Sequence, residues 1–502
     1  MFARAGDLGR GQPDGQIDAV CIIGMHLADQ LALDAAARAD VYLTTLLFQG
    51  GCTAGIAELA AFIASDELAA QRDLCLCDPQ NTVEILGWMK RNIAVRAPLP
   101  TRLQRVLQML FQGERLMANI EGGCVDVGTR IAERLGMPPG TVAALRAICE
   151  TWNGKGRQKL KGSAIPIAAR VAQTAMVAGV FHNEDGRDAA LAAVARRAGR
   201  ALDPEIAAAF AARGREPAMW DDLERAPLAR TVLALEPGTP RTLDDTGLDA
   251  IAIAIADFVD LKSARTAAHS RATAELAARM ARSLGMPDAE VTLCRRAALV
   301  HDLGQVGVPT AALETPASSP AARAQLEMHP HFTLRLLAAS PALGDIAAVA
   351  AAHHERLDGS GYPEGLSGAK LSRPARLLAV ADEYDELVRG TQGRPPLTSD
   401  DAMAALGNAS ARFDAACVAA LRDVLARADA PAARGPWPAG LTDREVDVVR
   451  LAAIGLTLKE IAANLSVSAH TARHHLEHVY EKVGVSSRAG VTLFAVENGL
   501  IS

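Results

Sequence analysis

Long segments rich in Ala, Leu, Arg and Glu run through this 502-residue chain, and few windows show the Val/Ile/Thr/Tyr alternation of strands. These residues lose little side-chain freedom in a helix, so the pattern predicts a nearly all-α protein. Two stretches break it: PGTPRTLDDTG (237–247) and ADAPAARGPWPAG (428–440), whose Pro, Gly and Asp favour exposed connections. They divide the chain into 14–236, 247–427 and 441–502. In the last piece, Thr442 followed by Glu445 reads as a capping box, and Gly455 as a helix stop. Val446, Val449, Ile461, Leu465, Val467, Leu476, Val479 and Val483 are spaced for a small trihelical core followed by a fourth helix.

The first two pieces look like copies of one another. YLTTLLFQGG (42–51) lies over RRAALVHDLG (295–304), placing Phe48 opposite His301 and Gln49 opposite Asp302. With one residue deleted, residues 148–170 lie over 353–376. Glu150, Gly154, Gly156, Leu160, Gly162 and Arg170 then meet Glu355, Gly359, Gly361, Leu366, Gly368 and Arg376. ALDPEIAAAF (201–210) matches RFDAACVAAL (412–421). A period this long indicates a duplicated domain rather than a solenoid.

Composition narrows the function classes. A net charge of −6 excludes a basic nucleic-acid coat, so DNA binding needs a local surface. The most apolar segment, Gly247–Asp260, is broken by Asp249 and Asp257, and the first residues lack the apolar run of a signal peptide. The expectation is a cytoplasmic protein with no membrane partner. The eight cysteines form no CxxC pair and read as small buried residues of a reducing compartment.

Six of the twelve histidines fall in the second copy: His269, His301, His329, His331, His353 and His354. With Asp302 and Asp382 they form an imidazole–carboxylate set suited to Mn, Fe or Zn. His301-Asp302 and His353-His354 each end an apolar helical run. Neighbouring helical residues point about 100° apart, so two adjacent histidines serve two metals more readily than one.

The matching pieces His269-Ser270-Arg271, ALVHDLGQVGVP (298–309), His329-Pro330, HHERLDGSGYPEGLSG (353–368) and ARLLAVADEYDEL (375–387) resemble the HD-GYP phosphodiesterases, a subgroup of the HD-domain phosphohydrolases. The resemblance covers the whole second copy. It implies tandem HD-type helical bundles, with a substrate of cyclic di-GMP or a related cyclic dinucleotide. It also implies a two- or three-metal centre of divalent ions, Fe or Mn with Zn as the alternative, held by His269, His301, Asp302, His329, His353, His354 and Asp382. In the family's chemistry Asp302 bridges the ions and an activated hydroxide attacks phosphorus. Asp302 and Gln305 are the candidate catalytic residues. Asp358, Gly359, Gly361, Tyr362, Pro363 and Arg394 form a substrate or partner loop, with Tyr362 stacking on a base or holding the loop. His331 lies outside the pattern and reads as a surface or outer residue.

Three positions depart from the family. Its HDxGK lysine is Gln305, a weaker neutral donor toward phosphate. Its RPY motif reads Arg394-Pro395-Pro396, and the glutamate that accompanies a third metal is Arg265, which leaves two metals. In the first copy the ligand positions hold Gln16, Phe48, Gln49, Ile148, Cys149 and Met176, so that copy reads as a degenerate repeat without a metal site. His26 and His182 fall off the ligand register and read as structural.

The tail resembles the LuxR-type helix-turn-helix along its length, through Leu441-Thr442, Arg444-Glu445, Gly455, Lys459-Glu460-Ile461-Ala462, Leu465, Ser468, Thr471, His475, Lys482, Gly484-Val485 and Arg488. This implies a recognition helix near 469–482. Ala469, His470, Arg473 and His474 are placed to reach base edges, and Lys459, Thr471, His475 and Lys482 to meet phosphates. With six basic and seven acidic residues in 441–502, binding calls for a homodimer. Two readings follow: a transcriptional regulator whose second copy hydrolyses a cyclic dinucleotide, or one whose inactive HD domain only senses it.

Overall fold

A computed structural model of the chain describes all residues except 240–241, 316–317, 391–394, 428–435 and 502. Arg394 and most of the second Pro/Ala/Gly-rich stretch lie outside the described residues. Among those described there is no strand, only an isolated bridge between Ala198 and Leu202. No helix is long and apolar enough to cross a membrane. Two compact units divide between Gly247 and Leu248, with Met1 joining the second.

The first unit is built around the helix Gln16–Gln30. It is apolar on almost every side, with Ile17, Val20, Ile22, Ile23, Met25 and Leu27 all buried. A helix of that pattern must be covered all round, and Ala35–Leu47 and Ile167–Arg197 pack against it. His26 is structural here, bonded to Asp222 at 2.9 Å and to Arg213. His182 packs on Trp220.

In the second unit, His269–Ser283 packs against Asp288–Val300, Arg373–Arg389 and Ala415–Ala426. Ala274, Ala277, Ala278, Ala281, Ala297 and Ala298 line these interfaces and are buried. Such small side chains let the helices approach closely, which draws the polar residues at their ends toward one point.

Both units share local construction. Glu150 accepts the amides of Gln158 and Leu160 at 2.6 and 3.0 Å, and Glu355 those of Glu364 and Leu366 at 2.7 and 2.8 Å. Arg170 pairs with Asp203 as Arg376 does with Asp414. The Trp152 amide reaches the Ala201 carbonyl as the Leu357 amide reaches that of Arg412. The bonds persist because they close the same turn, independently of any metal ligand.

At the C-terminal end, four short helices span Asp443–Ala453, Leu458–Asn464, Ala469–Val483 and Arg488–Glu497. The capping box at Thr442/Glu445 forms, and a second forms at Thr457/Glu460. Val446, Val449, Val479, Val491 and Phe494 make one side of the core, and Val448, Ile461, Ala472 and Leu476 the other.

The expectation that every cysteine is an inert buried residue holds for Cys21, Cys77, Cys294 and Cys417. It fails for Cys52, Cys75, Cys124 and Cys149, which are half-buried and gather near the Arg10 guanidinium. Their sequence spacing is too wide to announce this; packing of the helix Leu99–Arg134 on the turn after Leu47 creates it.

Asp7 is buried with the Ile17 amide donating to its carboxylate, and burial pushes its pKa up to about 8. A folded-state value above the unfolded one gives stability that is complete below about pH 4 and lost as pH rises toward 8. Asp7→Asn keeps the acceptor without the charge. We expect its melting temperature to match wild type at pH 4 and to exceed it by roughly 5 °C at pH 9, as read by differential scanning calorimetry.

Candidate metal centre

Each of the seven predicted ligands is delivered by a helix end or a helix interior. Ala268 takes a left-handed conformation (φ 66°), and His269 opens the following helix. His301 ends Asp288–Val300, and Asp302 begins the 3₁₀ turn Leu303–Gly307. His329 opens His329–Leu337, His353 and His354 follow Gly344–Ala351, and Asp382 lies within Arg373–Arg389. All seven are buried, and the structure brings them into one pocket.

The pocket has two halves joined by Asp302. The Nε2 atoms of His269 and His301 lie 3.2 Å apart, and each is 3.2 Å from Asp382 Oδ1. Asp302 Oδ2 faces that pair at 3.6 and 3.5 Å. Its other oxygen faces His329 and His353 Nε2 at 3.4 and 3.6 Å, and those two nitrogens are 3.0 Å apart. His354 presents Nδ1 at 3.9 Å from Asp382 Oδ2.

Hydrogen bonds on the far side of the rings fix this arrangement. The Nδ1 atoms of His301, His329 and His353 reach the carbonyls of Ala298, Leu326 and Ala350 at 2.6–2.7 Å. A carbonyl only accepts, so each Nδ1 carries the proton and each Nε2 turns a lone pair inward. His269 Nδ1 meets Asp385 Oδ2 at 2.6 Å. Lone pairs 3.0 Å apart repel unless a cation lies between them. Asp382 Oδ2 is buried without a hydrogen-bond partner, an orphan that a cation would satisfy. The donor set therefore fits divalent metal ions.

Burial opposes ionisation of Asp302, yet His301, His329 and His269 hold its carboxyl well below the usual range. Burial and the neighbouring His301 push His353 down to about 3, leaving it neutral and able to ligate.

The turn after Asp302 depends on two close approaches. A Cβ on Gly304 would fall 1.9 Å from the His329 carbonyl oxygen, so glycine is required there. Buried Lys262 sends its ammonium to the carbonyls of Gln305, Val306 and Val308 at 3.0, 2.6 and 2.5 Å. Three donors meet three acceptors. Gln305 is buried beside a cleft of about 430 Å³ whose walls include Arg265, His269, Asp302 and Glu386.

The GYP loop is anchored by Glu355, and a Cβ on Gly361 would lie 2.4 Å from the His354 carbonyl oxygen. Tyr362 is half-buried with its ring 4.7 Å from that of His354, so of its two expected roles the structure shows it packed on the histidines. Asp358 is exposed and closes a turn on Ser360, Gly359 takes φ 79°, and Pro363 is exposed. His331 is exposed.

Asp385, Glu386 and Lys262 were missed by sequence reasoning. Asp385 and Glu386 stand one helical turn after Asp382, a spacing that could have flagged them. No local pattern marks Lys262, because its partners lie more than forty residues away.

In the C-terminal domain, Lys459, Ala469, His470, Arg473 and His474 are exposed, and Thr471 and His475 are half-buried. Thr471 shares the Ser468 cap at the helix start. The Lys482 ammonium is engaged by Glu445 at 2.7 Å and by the Gly440 carbonyl, so its charge serves an internal ion pair.

Comparison with known proteins agrees with this geometry. The HD domain family model matches residues 254–417, and that of the bacterial regulatory proteins, luxR family, matches 439–495. The 3′3′-cGAMP-specific phosphodiesterase 3 of Vibrio cholerae is 30% identical over 423 residues, 84% of this chain and 92% of the relative. That alignment is longer than the stretch from Leu248 to the C-terminus, so the likeness extends into the first unit. A cyclic di-GMP phosphodiesterase response regulator of Xanthomonas campestris is 34% identical over 33% of this chain and 45% of its own length. The crystal structure of a cyclic GMP-AMP specific phosphodiesterase of V. cholerae superposes with a TM-score of 0.57 at 26% identity, covering 85% of this chain and 96% of the other.

Asp385→Asn would remove the acceptor charge behind His269 while keeping its shape. We expect divalent-ion retention, measured by competition with a chelator, to weaken 10- to 100-fold, the range for partners of this kind.

Proposed function

Because the chain belongs to the HD-GYP family of HD-domain phosphodiesterases and carries a luxR-family regulatory domain, we propose that it is a cytoplasmic DNA-binding regulator that hydrolyses a cyclic dinucleotide. Residues 247–427 form the hydrolase, 441–502 the DNA-binding domain, and 14–236 a degenerate repeat without the metal centre. One observation carries the reading: the two oxygens of Asp302 face two separate histidine pairs, the geometry of a carboxylate bridging two ions.

His269, His301 and Asp382 would hold one divalent ion, and His329, His353 and His354 the other, with Asp302 facing both sets. Iron or manganese suits this nitrogen–oxygen set, with zinc as the alternative. When bound, such ions neutralise phosphate charge and activate water. The chain's own residues orient the substrate. Gln305 offers a neutral donor at the cleft, and Arg265 supplies a cation there despite its contact with Glu314. Arg265 thus takes over the phosphate-directed charge that the family's lysine would bring. The V. cholerae relative that aligns along most of the chain is named for 3′3′-cGAMP, and others for cyclic di-GMP; both are cyclic dinucleotides that present a phosphodiester next to at least one guanosine.

The metal-loaded full chain is expected to convert 3′3′-cGAMP, cyclic di-GMP or both to the linear dinucleotide, followed by chromatography. His301→Ala should lose bound metal and at least about 1,000-fold in rate, as removing a metal catalyst does. Arg265→Met should raise KM about tenfold with metal content unchanged, the loss of one charge-assisted contact. A wild-type protein that binds two ions yet leaves every cyclic dinucleotide intact would convert the assignment to that of a sensor.

The exposed face Ala469, His470, Arg473 and His474 would enter the major groove, with Lys459 toward phosphate, in a homodimer. With Lys482 internally paired, few phosphates are neutralised per subunit. The logarithm of affinity for promoter DNA should therefore fall against log salt with a slope no steeper than about −6 per dimer, by fluorescence anisotropy.

A further inference from the structure

The first unit lacks the second unit's metal ligands, and thiols gather where those ligands would lie. Gly51 approaches the helix Leu99–Arg134 so closely that a Cβ would fall 2.0 Å from the Cys124 carbonyl oxygen and 2.8 Å from the Gly128 amide. Gly304 of the second unit makes the same approach to the His329 carbonyl and the Thr333 amide, at 1.9 and 2.7 Å. Gly51 corresponds to Gly304, so Cys124 stands where His329 stands. Cys52 follows Gly51 as Gln305 follows Gly304, and Cys149 occupies the place of His354. The structure assigns a new modification site here: we propose that Cys52 and Cys124 are a redox-responsive pair that hydroperoxides convert to an intramolecular disulfide.

Geometry carries the assignment. The two sulfurs are 2.9 Å apart, near enough that a covalent bond needs about 0.9 Å of further approach. Both residues are half-buried, so a small oxidant can reach them. The Arg10 guanidinium, which donates to Cys75 Sγ at 3.0 Å, brings positive charge to the cluster. That charge stabilises a thiolate and opposes a metal cation. Among the described residues, no metal-capable group of three includes these cysteines. The hydrogen bond from Cys124, then Arg10, draws the Cys52 thiol down to about 7 against burial, while the same bond and burial raise Cys124. Cys52 is therefore the attacking sulfur and Cys124 the resolving one.

In the first step the Cys52 thiolate attacks one peroxide oxygen and the O–O bond breaks. The other oxygen leaves with a proton as alcohol or water, and Cys52 becomes a sulfenic acid. Cys124 sulfur then attacks the Cys52 sulfur, expelling hydroxide, which leaves as water with the Cys124 proton. Two thiols and one hydroperoxide give one disulfide, one alcohol and one water, a two-electron oxidation of the pair.

The test uses the full chain, reduced and then treated with one equivalent of hydrogen peroxide. Thiol counting in denaturant should fall from eight to six, peptide mass mapping should place the bridge between Cys52 and Cys124, and dithiothreitol should restore both thiols. Cys52 is the more acidic thiol of the pair, so Cys52→Ser should slow the first thiol loss by roughly tenfold or more. Cys124→Ser should instead stop at a sulfenic acid on Cys52 that dimedone captures. The wild-type map needs no variant to fold. The proposal is overturned if all eight thiols survive, if the bridge joins Cys75 or Cys149 instead, or if the reduced cluster holds a stoichiometric metal ion that Cys52→Ser releases.

Discussion

The helices that bear the seven ligands are arranged around one carboxylate. Asp302 is a buried anion, and a buried anion is costly unless compensated from several sides. Four histidine Nε2 atoms surround it, two at each oxygen. Those histidines are aligned by carbonyls at the ends of three helices and by Asp385. The centre exists only while the helices converge, and they converge because alanine fills their interfaces. Packing and chemistry are thus one constraint seen from two distances.

The outer supports are as specific as the ligands. Lys262 ties down the turn after Asp302, Gly304 lets that turn touch the helix bearing His329, and Glu355 with Gly361 presses the GYP loop against His354. Tyr362 completes the packing on the histidine rings. These elements hold the ligand-bearing segments in place. Within the GYP loop, Gly361 and Glu355 seat the backbone and Tyr362 packs over the centre.

The first unit carries the second unit's turn construction with different side chains at the ligand positions. Its Glu150 turn, its Arg170–Asp203 pair and its glycine approach at Gly51 reproduce the second unit's framework.

The sequence alone determined much of this. Helical composition and the interrupted pattern fixed an all-α chain, and the ligand types and GYP string named seven residues that the structure brings into one pocket. The capping signal at Thr442 and Glu445 named the start of a helix, because a cap is local and needs only three residues of context. What the sequence could not contain were relations between distant segments: which Asp302 oxygen faces which histidine pair, the hold of Lys262 on three carbonyls, the capture of Lys482 by Glu445, and the meeting of Cys52 with Cys124 across 72 positions. Each arises only when separate helices pack, since distances between side chains far apart in sequence are set by the close-packed interior and by no local preference.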